Sequence, residues 1–102
     1  MDNKSKDIIY THLVNTNEPD YNLTKACEEL NELSEVILKR VNKGKTPKSP
    51  ENKAIIEEIG DVEIRLNILK RIFGLEDCEQ RVHDKLTKFE GYIAENKYTG
   101  RI

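Results

Sequence analysis

Two pairs of acids, each set three residues apart, carry the chemistry open to this sequence: Glu29 and Glu32 in "EELNE", and Glu58 and Asp61 in "EIGD". On helices, each pair would put its two carboxylates on one side of the cylinder, about one turn apart. A carboxylate held away from water must be protonated, paired with a cation or bound to a metal. Arg65, one turn beyond Asp61, neutralises one of the four. The remaining negative excess suits a hard divalent cation, and a set of oxygen ligands selects Mg²⁺ or Mn²⁺ over zinc or copper.

A basic counterpart follows later in the chain. Arg81, Lys85, Lys88 and Tyr92 recur at about one-turn intervals beside an apolar stripe. Two readings stay open for them. Lysine stems can simply snorkel along a core, or the row can face an anion that also touches the metal. Carboxylates on one wall and basic groups on another are what a phosphate ester or anhydride requires. A di-iron carboxylate bundle is excluded, because no glutamate here has a histidine three residues on.

The elements that must position these groups are helices. Ile8, Ile9, His12 and Leu13 mark a first helix over about 4–15, and "NTNEPDYN" interrupts it around Pro19. A second helix is expected from a cap at Asn22 to Thr24 through about Asn42, on a stripe of Ala26, Leu30, Leu33, Ile37 and Val41. After "KGKTPKSP", Ser49 as cap and Pro50 at the first helical position open a third, running to Phe73. Gly74 reads as its left-handed terminator, and a fourth helix covers about Glu76 to Lys97 on Val82, Leu86, Phe89 and Ile93. The fold class is therefore all-α, a four-helix bundle in one domain over 1–102, with its core in about 20–97.

The helical wheel separates the acids. Glu28 and Glu35 point away from the apolar stripe, whereas Glu29 and Glu32 sit on its flank beside Val36. On the third helix Ile55, Ile59, Val62, Leu66, Leu69 and Phe73 form one stripe, and Ile64, Ile68 and Ile72 a second. Glu58, Asp61 and Arg65 lie between the two. A small chain with two apolar stripes on one helix is expected to complete its bundle by association, the Ile64–Ile68–Ile72 stripe meeting a partner copy.

Bulk properties narrow the partners. The net charge of -2 provides no field for nucleic acid or an anionic membrane, and no stretch is apolar and long enough to span one. The start "MDNKSKDIIY" lacks the apolar region of a signal peptide, so a cytoplasmic location is expected. Cys27 and Cys78 are expected to be plain buried thiols, and His12 and His83 are isolated.

The acid words, in this order and at this spacing, resemble the Glu-Glu-x-x-Glu and Glu-x-x-Asp signature of the MazG-like nucleoside triphosphate pyrophosphatases. "KACEELNELSEVILK" and "KAIIEEIGDVEIRLNILK" read like that family's two central helices, closest to its small single-domain versions in phages and Firmicutes. The likeness covers about residues 20 to 97. It implies an all-α fold, a homodimer or dimer-of-dimers tetramer, and Mg²⁺-dependent hydrolysis of an NTP or dNTP to the monophosphate and pyrophosphate. It assigns Glu29, Glu32, Glu58 and Asp61 as metal-binding, catalytic acids, with Arg65, Lys85, Lys88 and Tyr92 towards substrate. The departures are Phe89, where many relatives carry Asn, and the absence of Trp, for which Tyr10 and Tyr21 are candidate substitutes. They leave base specificity open, between dUTP, dCTP, phosphoribosyl-ATP and others. They also keep a second reading alive: a catalytically silent, partner-binding bundle on the same scaffold.

Overall fold

The computed structural model of the protein describes residues 1–43 and 51–95. It is all-helical there, with four helices in the expected order: α1 (Asn3–Thr16), α2 (Pro19–Lys43), α3 (Glu51–Phe73) and α4 (Leu75–Ala94). The expected caps at Ser49 and Pro50, and the last residues of the fourth helix, lie outside the described residues.

The boundaries follow local chemistry. Asp2 caps α1 by accepting the Ser5 N–H at 2.7 Å, which holds the Asp2 carboxyl below its ordinary pKa. At the other end the Thr16 hydroxyl donates to the His12 carbonyl and the Asn17 amide to that of Leu13, at 2.8 and 3.2 Å. The start of α2 corrects the sequence reading. It begins at Pro19, not at Asn22 to Thr24, with the Glu18 carbonyl accepting from Tyr21 and Asn22 at 3.0 and 3.3 Å. Proline breaks the preceding turn but suits a first helical position, where no N–H is needed. Asn22 is thereby drawn into the helix and buried at 1% exposure, and its amide has no hydrogen-bond partner among the described residues.

One residue joins α3 to α4. Gly74 adopts φ 132° and donates to the Lys70 carbonyl at 2.7 Å, so it both ends α3 and precedes α4. Positive φ was expected; so abrupt a junction was not. A β-carbon at this position would lie 3.3 Å from Asp77 Oδ2. Gly74→Ala is expected to cost about 1–3 kcal/mol, chiefly in backbone strain. Thermal melts would register this as a Tm lowered by roughly 4–8 °C per kcal/mol; an unchanged Tm would mean the junction tolerates other angles.

Packing centres on the α2–α3 hairpin, with α1 laid on α3 and α4 touching α3 lightly. Arg40 Nε donates to Asn52 Oδ1 at 2.7 Å and ties the hairpin's loop end. At the other end Arg71 sits 4.5 Å over the Tyr10 ring and 3.3 Å from Asp7, pinning α1 to α3. Among the described residues, Ala26, Val62 and Ile68 are the buried apolar ones.

The faces pack differently from the sequence reading. The Ile64–Ile68–Ile72 stripe is met in part from within the chain: α1 packs on α3, Ile68 is 1% exposed and Ile72 half-buried, while Ile64 stays 45% exposed in a groove with Ile9, Tyr10 and Leu13. Much of the stripe expected to form the core stays open instead, with Leu30, Ile37, Ile59, Leu66 and Phe73 all exposed. The reason is α4, which leaves the hairpin uncovered. The thiols are also not both buried, since Cys27 is exposed and Cys78 only half-buried. Cys27 stands next to Glu28, on the polar side of α2.

Candidate metal centre

The hairpin register brings the acids together. Glu32 lies eight residues before Arg40 and Glu58 six after Asn52, so at 1.5 Å per residue they stand about 12 and 9 Å along the hairpin from that tie. They are level to within a turn. Glu29, Glu32 and Glu58 each offer a carboxylate oxygen, and these atoms all lie within 4.8 Å of one another.

Burial is graded across the cluster. Glu29 and Glu58 are half-buried and Glu32 is exposed. Glu29 Oε2 and Glu58 Oε2 are fully covered, with no hydrogen-bond partner among the described residues. Both carboxyls are pushed above the ordinary glutamate value of 4.5. Desolvation is the main cause in each, followed by repulsion from Glu32 and from other acids of the cluster, Asp61 among them. Arg65 opposes this at Glu29, favouring the charged form.

A fourth acid was expected in the same group. Asp61 is exposed and outside the three-oxygen cluster, although its charge is felt at both half-buried glutamates. Arg65 is half-buried and near enough to act on Glu29. Glu28 points outward as the wheel required, paired with Lys25 at 3.0 Å. The α4 residues are not brought to the acids by this chain. Arg81, Lys85 and Lys88 are exposed, and none is among the leading influences on Glu29 or Glu58. Tyr92 is half-buried with Lys88 5.7 Å over its ring, a contact internal to α4. Tyr10 is taken by Arg71 and Tyr21 by Lys25, at 4.5 and 5.8 Å. A groove of about 820 Å³ between α1 and α3 is lined by none of the four acids.

The donor set fits a hard cation. Carboxylate oxygens alone are the ligands of Mg²⁺, Mn²⁺ or Ca²⁺, and two covered, unpartnered oxygens are the feature a bound cation would satisfy.

The raised values of Glu29 and Glu58 carry a sign for stability. A carboxyl whose folded pKa exceeds its unfolded one binds its proton more tightly in the folded state. Stability from these two groups is therefore fully present below the unfolded value, near 4.5, and is lost as pH rises through the folded values. Asp2 acts oppositely, its contribution lost as pH falls. With chelator present, urea midpoints are expected to rise as pH is lowered from neutrality towards about 5. Midpoints that instead fell across that window would show the cluster to be solvated.

Comparison with family models, with curated proteins and with solved structures found no match to this chain. Among the described residues no helix is long and apolar enough to cross a membrane.

The sequence missed two features here. The Asp7–Arg71–Tyr10 anchor joins residues 64 apart with no pattern to link them. Asn22 looked like a cap, and only the earlier start of α2 makes it a core residue.

Proposed function

We propose that the protein hydrolyses a nucleoside triphosphate to the monophosphate and pyrophosphate, with a divalent cation, Mg²⁺ or Mn²⁺, held by Glu29, Glu32 and Glu58. One observation carries this reading. Carboxylates from two helices converge within 4.8 Å, two of them keeping a covered oxygen without a partner. The motif likeness, in the same residues and order, supports the choice of substrate class.

When bound, the cation lowers the pKa of water and offsets phosphate charge. The chain's own residues supply the rest. Glu32, the exposed member of the cluster, is placed to take a proton from the attacking water. Water oxygen bonds to the α-phosphorus, the bond to the oxygen bridging towards the β-phosphorus breaks, and pyrophosphate leaves. Arg65, beside Glu29, offsets charge on the phosphates. Asp61 stands at the rim, where its charge strengthens the hold on a cation. Base and sugar are selected by residues beyond the acids.

Purified protein with Mg²⁺ and a panel of NTPs and dNTPs should release pyrophosphate from at least one member. No release from any, with Mg²⁺ or Mn²⁺, would end the enzyme reading. A second reading, a silent bundle that binds a partner, is favoured by the distance between the α4 cations and the acids within one chain. Calorimetry with Mg²⁺ and a non-hydrolysable triphosphate separates the two, since the silent bundle binds neither.

A further inference from the structure

The covered side-chain atoms left without a hydrogen-bond partner among the described residues share one seam. They are Oε2 of Glu29, Oε2 of Glu58 and both polar atoms of Asn22. The glutamate oxygens belong to the proposed cation site. The Asn22 amide lies apart from it and deeper, at 1% exposure. An amide removed from water and left unpaired costs free energy at its N–H₂ and at its carbonyl alike. The group that would satisfy it is a ligand with a donor and an acceptor of its own.

Asn22, Ala26 and Glu29 follow one another at four and three residues, along the covered side of α2. The hairpin register carries this side onto α3. Arg40 bonds Asn52, Glu29 feels the charge of Asp61, and Lys25 feels that of Arg65. One turn further, the same register sets Asn22 beside Ile68, itself 1% exposed. Asn22 therefore closes a trough whose other end is the acid cluster, with Arg65 between. Seven residues separate it from Glu29, about 10 Å along the axis. A nucleotide with its phosphates at the acids extends its base over a comparable span.

We infer that Asn22 reads the nucleobase of the triphosphate, its amide donating to and accepting from adjacent groups on the base edge; this rests on the hydrolase reading. A side chain locked by burial presents its N–H₂ and C=O in one order. Adenine and cytosine offer an amino donor beside a ring-nitrogen acceptor, whereas guanine and uracil offer a carbonyl beside a ring N–H. One fixed amide serves one of these classes and meets the other donor to donor. Access is by way of α1, which ends at Thr16, six residues before Asn22, and contributes no buried residue. Its anchor is Arg71 against Tyr10 and exposed Asp7. Displacing α1 takes no buried side chain of its own into water, so it belongs to the low-stability end of the fold. The arriving base then covers Ile68 in its place.

The test is kcat/KM for pyrophosphate release, ATP against GTP and CTP against UTP, each pair alike in ring size. Wild type should favour the same class in both pairs by ~10-fold or more. Asn22→Leu, and Asn22→Ala without the added bulk, should bring both ratios close to one by slowing the favoured class. A purely structural defect would slow both members of a pair alike. Hydrogen exchange on the unaltered chain gives a readout free of folding defects: a non-hydrolysable analogue of a favoured triphosphate should deprotect α1 amides, and pyrophosphate alone should not. Hydrolysis without a class split, variants that keep the split, or α1 protection unmoved by the analogue would overturn the Asn22 assignment and leave the hydrolase reading standing. No hydrolysis of any triphosphate would overturn both.

Discussion

Glu58→Gln should lower kcat/KM for the best triphosphate substrate by about 100-fold or more, since losing even an outer-shell partner of a metal ligand typically costs 10–100-fold. The same substitution should remove cation-dependent stabilisation. A cation that binds only the folded chain adds about 2.7 kcal/mol at 100 times its Kd, or roughly 10–20 °C in Tm for a domain this small. Wild type should show this rise with Mg²⁺ and Glu58→Gln should not. In chelator the order reverses. Gln carries no charge to desolvate, so the variant should melt above wild type at neutral pH and lose much of the pH slope. That crossover separates a ligand from a structural carboxylate. If Glu58→Gln kept full turnover and the Mg²⁺ shift, the metal centre would be wrongly placed.

Ile68→Ala is the second large effect. Ile68 is 1% exposed and, among the described residues, is buried with Ala26 and Val62. Removing most of its side chain should cost about 2–5 kcal/mol, through lost transfer energy and the cavity left behind. A domain with roughly 5–15 kcal/mol in total cannot absorb that easily. Urea unfolding should move to a much lower midpoint, and α1 should become sensitive to protease, since Ile68 lies on the helix that α1 covers. Ile56→Ala is the matched control. That side chain is 68% exposed in the protomer, so the expected cost is small unless a partner covers it. A near-neutral Ile68→Ala would mean that the three-helix core is not where stability resides.

The contrast shows what was legible in the sequence and what was not. Helix type, order and most ends were readable, because apolar residues recur every three or four positions and Gly74 must take positive φ. The convergence of Glu29, Glu32 and Glu58 followed from wheel position plus an antiparallel hairpin. Which stripe meets which neighbour did not follow. Periodicity says that Ile68 and Leu86 each belong to an apolar face, yet one is sealed by its own chain and the other stands bare. That choice depends on long-range partners, such as the Arg71 contacts with Asp7 and Tyr10, which no local pattern encodes. The early start of α2 was missed for a different reason. Proline serves equally as a breaker and as a first helical residue, and its neighbours alone do not say which.

All three clustered glutamates sit on α2 and α3, joined through one short connection. A hairpin of this kind is dominated by contacts close along the chain, and such topologies fold in microseconds to milliseconds. Translation is far slower, at about 5–20 residues per second, so the 20 residues of α4 take roughly 1–4 s to make. On a ribosome, once the hairpin is clear of the exit tunnel, its carboxylates can therefore close up in far less time than one α4 takes to be polymerised. The proposed cation site would then be complete before α4 exists, so divalent ions present during synthesis would act on the nascent protein.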